Sequence, residues 1–334
     1  MTSPQHRVLV IGVGSIGERH LRCFQKTGRA QVSLCELNEK LRTDVADRYD
    51  VQNVFTDLDE AIDAGGFDAA VICTPAQFHI PMAAKLAEQG VNLLVEKPLS
   101  TTLDGIEGLI ELVERKKVTC SIGYTWRSHP ATGPMKEAID SGKFGKPVQL
   151  VYIGGQHFPT YRPAYRDIYY ARHESGGGCI QDAVTHMANL AEWFVGPIDR
   201  IIADAEHKLL DGVEVEDMSH YMTRHGDVLG SFSQNQYQAP SETIMNVLCE
   251  KGTVQFLAHK CMWRYMVEPD SQWVEHDCGP MERDDMYVTQ ANSFMDTVEG
   301  KREPVCTLRE GYQTLKVNLA ALTSVQSNTW QTIN

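Results

Sequence analysis

The stretch "RVLVIGVGSIGERHL", residues 7–21, constrains this chain more than any other. Its opening residues form a short, nearly all-apolar run, as suits a strand buried on both faces of a parallel sheet. Glycines spaced G-x-G-x-x-G follow, and "ERHLRCFQKTG" then carries helical periodicity up to a C-cap at Gly28. The same alternation continues. "QVSLCEL", "VFTD", "AAVICT", "VNLLVE" and "VTCSIG" read as strands, and "EKLRTDVADRY", "HIPMAAKLAEQG" and "TLDGIEGLIELVERKK" as helices between them. Repeated β-α-β units with connections this short close into a doubly wound parallel sheet, so residues 1–123 are expected to be an α/β Rossmann-type domain.

The pattern changes after Gly123. "PATGPMKEAIDSGKFG" reads as a helix, and "PVQLVYIGGQHF" and "IDRIIADAEHKLL" as strands. One hairpin is expected to turn at His225-Gly226-Asp227 and another near Lys251-Gly252. An amphipathic helix around "REGYQTLKVNLAALTSVQ" closes the chain. Residues 124–334 are therefore expected to be an α+β domain with a large, mostly antiparallel open sheet. At 334 residues a second domain is the default. One face of such a sheet needs covering, which predicts a homodimer or homotetramer.

Gly12, Gly14 and Gly17 stand where a dinucleotide motif requires them. The first allows the tight turn, the second lets backbone approach a pyrophosphate, and the third lets helix pack on strand. The helix start at Ser15 and Ile16 offers free N–H groups and a partial positive charge to the phosphates. Glu36 ends the second strand, 19 positions after Gly17. Its carboxylate suits the adenosine ribose hydroxyls and repels a 2′-phosphate, so NAD is the expected cofactor. Lys40 and Arg42 lie close by in sequence and keep NADP as the second choice.

The formal net charge of −13 argues against nucleic acid or an anionic membrane as the main partner. Nine scattered cysteines without C-x-x-C predict neither a disulfide framework nor structural zinc, and fit a reducing compartment. His157, His173, His220 and His225 show no metal spacing. The N-terminal "MTSPQHRVLVIGVG" has too short an apolar run for a signal peptide, and no segment reaches the roughly 18–20 apolar residues of a membrane span. A cytoplasmic protein is expected.

Two further stretches carry chemistry. Glu96-Lys97-Pro98 follows the fifth strand, at the edge where open α/β sheets bind ligands. Lys97 there can donate to a hydroxyl or polarise a carbonyl. Later, "GGGCIQDAVTH" runs three glycines into a helix start, and the four-residue spacing of Asp182 and His186 places them on one helix face.

With these motifs the sequence resembles the glucose–fructose oxidoreductase / inositol dehydrogenase / rhizopine-catabolism (Gfo/Idh/MocA) family over nearly its whole length. "VICTPAQFHIPMAAKLAEQGVNLLVEKPLS", "SGKFGKP" and "SGGGCIQDAVTH" carry the resemblance. It implies that Lys97 is the catalytic lysine, and that Asp182 and His186 are its paired partners. It places Thr74, Pro75 and His79 near the cofactor and Glu96 beside the nicotinamide ribose. The Lys97–Pro98 peptide is often cis in relatives, and Trp126 and Arg127 match a pocket-lining region. Val184 and Asn189 depart from the family pattern, in which a glycine and an aspartate are usual.

Oxidation of a secondary alcohol needs a base for the hydroxyl proton while hydride leaves for the nicotinamide. An imidazole such as that of His186, with an ordinary pKa of about 6.5, suits that task. Asp182 can hold the imidazole or bind a neighbouring hydroxyl, and Lys97 can stabilise the developing alkoxide. Gly176, Gly177 and Gly178 are expected to let backbone pass close to sugar and nicotinamide.

The segment "QHFPTYRPAYRDIYYARHE" interleaves Arg162, Arg166 and Arg172 with Tyr161, Tyr165, Tyr169 and Tyr170. It suits a sugar or cyclitol, an anionic one included, with Tyr161 and Arg166 as the substrate-facing choices. It equally suits an arm packed on a neighbouring subunit. The expected function is an NAD-dependent sugar or cyclitol dehydrogenase. The alternatives are redox-neutral glycoside cleavage by transient oxidation, and a sensor that binds NAD and sugar without chemistry.

Overall fold

A computed structural model describes residues 6–334. The first five residues of the stretch read above for a leader lie outside the described residues. Contacts divide the chain into two units, Met1–Ser128 with Glu282–Tyr312, and His129–Met281 with Gln313–Asn334.

The first unit is built on β1 (His6–Ile11), α1 (Ser15–Lys26), β2 (Ala30–Cys35), α2 (Glu39–Tyr49), β3 (Val54–Phe55), α3 (Leu58–Ala64), β4 (Ala69–Ile72), α4 (His79–Glu88), β5 (Asn92–Val95), α5 (Ile106–Lys116) and β6 (Cys120–Ile122). Its six strands are all parallel in the order β3-β2-β1-β4-β5-β6. The order reverses between β1 and β4, which puts the turn after β1 at the switch point of the sheet. Val8, Leu9 and Val10 are all fully buried. The absence of in–out alternation is what burial of both sheet faces produces.

The second unit contains α6 (Thr132–Asp140), β7 (Pro147–Gly155), α7 (Phe158–Tyr161) and α8 (Thr185–Val195). Then follow β8 (Arg200–Glu206), β9 (Met218–His225), β10 (Val228–Asn235), β11 (Glu242–Cys249), β12 (Gly252–Leu257), β13 (Met262–Met266) and β14 (Val274–Asp277). With the terminal β15 (Gln331–Thr332) they form a nine-stranded sheet, ordered β14-β13-β12-β11-β7-β10-β9-β8-β15. All pairs are antiparallel except β7 with β10. The expected hairpin at His225-Gly226-Asp227 is β9–β10, with His225 paired to Val228 and Gly226 at φ 62°. The second hairpin pairs Cys249 with Gly252 and continues through β13 and β14 as a meander. Along β9, Ser219, Tyr221, Thr223 and His225 are buried, while His220, Met222 and Arg224 face outward.

The unit division departs from the sequence boundary at 123/124, because residues 282–312 return to the first unit. They bring α9 (Asp285–Val298), a helix not foreseen in the sequence. Phe294 of α9 meets Phe24 of α1 edge-on, with ring centroids 6.2 Å apart. Arg22 grips Asp284, just before α9, with bonds of 2.6 and 2.8 Å. This contact has the bidentate geometry that makes arginine–carboxylate pairs specific. The last helix, α10 (Leu308–Ser327), contributes its residues up to Tyr312 to the first unit and the rest to the second.

Candidate functional site

The turn after β1 has the glycines it requires. Gly12 adopts φ 78°, and a Cβ on Gly17 would fall 1.8 Å from Gly12 O, so α1 can rest on the turn only without a side chain there. A Cβ on Gly14 would meet no other part of the described residues within 4 Å. Gly14 is the N-cap of α1 and no side chain caps it, so the N–H groups from Ser15 and Ile16 onward present the positive end of a twelve-residue helix.

Both oxygens of Glu36 are already anchored. Oε2 accepts from Val13 N–H and Oε1 from Asn38 N–H, each at 2.9 Å. The carboxylate is thus fixed beside the glycine turn with lone pairs to spare for hydroxyl donors. Arg42 is turned to main chain, donating to Glu36 O at 2.7 Å and Leu37 O at 3.3 Å. An open glycine turn, an uncapped helix and an anchored acid fit an NAD dinucleotide.

The Glu96-Lys97-Pro98 turn leaves the carboxyl end of β5, and its Lys97–Pro98 peptide is cis. Glu96 is buried and Lys97 is partly exposed. Glu96 Oε1 lies 2.6 Å from His20 Nε2, and Oε2 accepts the Lys97 N–H at 3.0 Å. Burial works to raise the Glu96 carboxyl, but the His20 hydrogen bond and charge, with Lys97, outweigh it and hold Glu96 below the ordinary range.

His79 sits between two carbonyl oxygens, with Nε2 2.7 Å from Thr74 O and Nδ1 3.1 Å from Pro98 O. Burial pushes its pKa down. The His79 ring, expected near the cofactor, is turned to main-chain carbonyls of its own chain. Thr74 is half-buried, with its hydroxyl 3.6 Å from Met82 Sδ, and Pro75 is exposed.

In the second unit, Asp182 lies in a π-turn, Ile180–Val184, which runs into α8 carrying His186. The expected single α-helical face is therefore a wider turn followed by an α-helix, and π-turns of this kind recur at functional sites. The Tyr169 hydroxyl donates to Asp182 Oδ1. Ile180 N–H donates to Glu216 Oε1 at 2.8 Å, and Glu216 Oε2 meets His173 Nε2 at 2.5 Å. The pair raises the His173 pKa.

The triple glycine has a different cause from the one expected. A Cβ on Gly177 would fall 2.2 Å from Tyr170 O and 2.6 Å from Tyr169 O, and one on Gly178 2.7 Å from Glu216. The glycines make room for the chain's own Tyr169–Tyr170 backbone and for Glu216. Val184 is buried, and Asn189 faces inward, donating to Thr314 Oγ1 at 2.9 Å.

Arg127 also departs from expectation. Its side chain is 2% exposed, and Nη1 donates to Glu310 Oε1 at 2.6 Å and Val305 O at 3.0 Å, which makes it a structural ion pair rather than a substrate-lining group. Trp126 is partly buried. Tyr161 is exposed on α7. Arg166 is held to its own neighbourhood, with Nε 2.8 Å from Asp211 O and 3.1 Å from Tyr165 Oη.

Sequence reasoning gave no role to Glu216 or His20, and it named Tyr169 only as one of four tyrosines in the 156–174 segment, not as a partner of Asp182. Nothing local marks Glu216. For His20 a signal existed, since it stands among Gly17, Leu21 and Phe24 on the buried stripe of α1. Among the described residues no three His, Cys, Asp or Glu are grouped to hold a metal ion, and no helix is long and apolar enough to cross a membrane.

Residues 6–124 match the family model described as "Oxidoreductase family, NAD-binding Rossmann fold", and residues 134–255 the "GFO/IDH/MocA C-terminal domain". The chain is 29% identical over 195 residues to scyllo-inositol 2-dehydrogenase (NAD(+)) of Bacillus subtilis, covering 58% of this chain and 54% of that one. It spans about half the length of the curated inositol dehydrogenases it matches. To 1,5-anhydro-D-fructose reductase of Ensifer adhaerens it is 22% identical over 325 residues, 94% of each chain. A solved levoglucosan dehydrogenase in complex with NADH and levoglucosan superposes with a TM-score of 0.89 over 98% of this chain and 99% of that chain. At 18% identity this is a likeness of fold.

Proposed function

The chain belongs to the Gfo/Idh/MocA oxidoreductase family, and from that premise we propose that it transfers a hydride between nicotinamide and a secondary alcohol of a sugar, cyclitol or sugar derivative. NAD, when bound, supplies the hydride acceptor. The observation that carries this proposal is the Glu96-Lys97-Pro98 turn. A partly exposed lysine there stands between two buried, hydrogen-bonded neighbours at the ligand-binding edge of a dinucleotide sheet.

In this proposal the Lys97 ammonium stabilises the alkoxide that forms as the hydroxyl proton leaves. His186 receives that proton, and Asp182 orients the imidazole or a neighbouring hydroxyl. Glu36 binds the adenosine ribose and selects NAD over NADP. Tyr161, Arg166 and Trp126 are the proposed substrate-facing groups, and an anionic sugar is within their chemistry. The named activities of the inositol dehydrogenase relatives support a polyol substrate class.

We also propose a homodimer or homotetramer. Ile153, Met222 and Leu229 lie on the outward face of the nine-stranded sheet and are each about half exposed, an apolar set that a second copy would cover. We place the protein in the cytoplasm. The test of the activity is turnover of Lys97→Ala and His186→Ala. Both should lose most activity and retain NADH affinity, and near-normal rates in both would remove the mechanism.

A further inference from the structure

Two buried histidines from different helices reach the two residues that flank Lys97. His20, on α1, is fully buried, and its Nε2 meets Glu96 Oε1 at 2.6 Å. Its other ring nitrogen, Nδ1, has no hydrogen-bond partner among the described residues. The ring otherwise packs edge-on against Tyr287, with centroids 5.4 Å apart. Among the described residues, Glu96 is thus the hydrogen-bond partner shown for this ring. His79, the first residue of α4, lies between two carbonyls, with Nε2 2.7 Å from Thr74 O and Nδ1 3.1 Å from Pro98 O. Gly123 completes the arrangement, because a Cβ there would come 2.9 Å from Glu96 Oε1.

Neither histidine is what packing alone would select. Both stand in apolar stripes, His20 beside Leu21 and Phe24, and His79 beside Ile80 and Ala83. A buried polar ring costs stability unless its hydrogen bonds are made, and an apolar side chain would fill either place without that cost. What the two rings accomplish together is geometric. His20 holds the Glu96 carboxylate, which in turn holds the Lys97 N–H. The His79 ring stands against the carbonyl of the residue that follows, with Nδ1 3.1 Å from Pro98 O. The backbone of Lys97 is fixed from both sides while its side chain stays partly exposed.

We propose that His20 and His79 are positioning residues that brace the Glu96-Lys97-Pro98 turn and set where the Lys97 side chain stands. His20 lies on the helix whose N-terminus forms the dinucleotide turn, so the brace ties that turn to the lysine. The kinetic consequence rests on the dehydrogenase proposal above; the structural brace does not.

The test follows amide hydrogen exchange residue by residue in the full chain without cofactor, for His20→Leu, His20→Gln and the wild type. His20→Leu should speed exchange at the Lys97 amide at least tenfold. The Leu93 amide, bonded to Thr119 O at 2.8 Å at the far end of β5, should stay within twofold. His20→Gln, which keeps an N–H near the same place, should hold Lys97 within threefold of wild type. If His20→Leu fails to fold, His20→Asn, polar but too short to reach Glu96, takes its place. Unchanged Lys97 exchange, or equal acceleration of Lys97 and Leu93, overturns the brace. With a turnover substrate, His20→Leu and His79→Leu should lower kcat at least tenfold, with KM and NADH affinity within threefold. Normal kcat overturns the effect on the reaction. A wild type that turns over no sugar counts against the dehydrogenase proposal, and the exchange result still decides the brace.

Discussion

Tyr169 donates its phenolic hydrogen to Asp182, and the carbonyl of the same tyrosine is one of two that leave no room for a side chain at Gly177. One stretch of chain therefore both holds the aspartate and requires glycine at position 177. Hydrogen bonds to charged groups contribute about 1.5–3 kcal/mol. Tyr169→Phe is expected to lower kcat roughly tenfold or more. NADH affinity, read by fluorescence, should be unchanged. A kcat equal to wild type would show that the phenol does not orient Asp182 for the reaction.

Gly14 and Gly177 should fail in opposite ways. Alanine at Gly177 forces a methyl against Tyr170 O and should destabilise the fold by about 2 kcal/mol, seen in the urea midpoint. The methyl of an alanine at Gly14 would meet no other part of the described residues within 4 Å and would stand in the space proposed for the pyrophosphate. It should leave the urea midpoint in place while NADH affinity drops tenfold or more. Equal loss of stability in both variants would contradict this assignment of the two glycines.

Glu36→Ala removes the acceptor for Val13 N–H as well as the carboxylate proposed to hold the ribose. NAD affinity is expected to fall roughly tenfold, about 1.4 kcal/mol. NADP affinity should rise far less, because the Arg42 contacts are to the carbonyls of residues 36 and 37, which the substitution leaves in place. Calorimetric titration with both cofactors reads the two shifts, and a switch to tight NADP binding from this one change would count against the role given to Arg42.

Much of this was legible because it is local. The β1–glycine–α1 unit, Glu36 and the Glu96-Lys97-Pro98 turn each depend on residues close in sequence, and each stands where the pattern predicts. The hairpin at Gly226 is legible for the same reason. The rest depends on distant partners. Arg127 looks like a pocket residue until Glu310, 183 positions later, is folded against it. That the His79 ring sits between Thr74 O and Pro98 O could not be read from the sequence, because Pro98 lies 19 positions away. The α9 stripe of Val288, Ala291, Met295 and Val298 could have been read as a helix. Its return to the first unit could not, since that depends on Phe24 and Arg22.

Stability should weaken in acid for a nameable reason. Burial pushes His129 down to about 4 from an ordinary 6.5, so the unfolded chain takes up a proton in that window before the folded chain does. A depressed histidine therefore contributes stability that is complete above about pH 6.5 and is lost as pH falls toward about 4, amounting to roughly 3 kcal/mol. His129→Asn keeps an acceptor for the Ala131 N–H, bonded at 3.1 Å, and should flatten the acid limb of urea midpoint against pH. An acid limb of unchanged slope would place the sensitivity elsewhere.

The decisive experiment is absorbance at the reduced-nicotinamide band, with NAD and separately NADP, against inositols, aldoses, uronates, anhydrosugars and glycosides, run in parallel with Lys97→Ala. NADH should appear with NAD and one sugar or cyclitol class, and Lys97→Ala should abolish it. Silence across the panel from a protein shown to bind NADH, or equal NADH production by Lys97→Ala, would contradict a lysine-dependent sugar or cyclitol dehydrogenase.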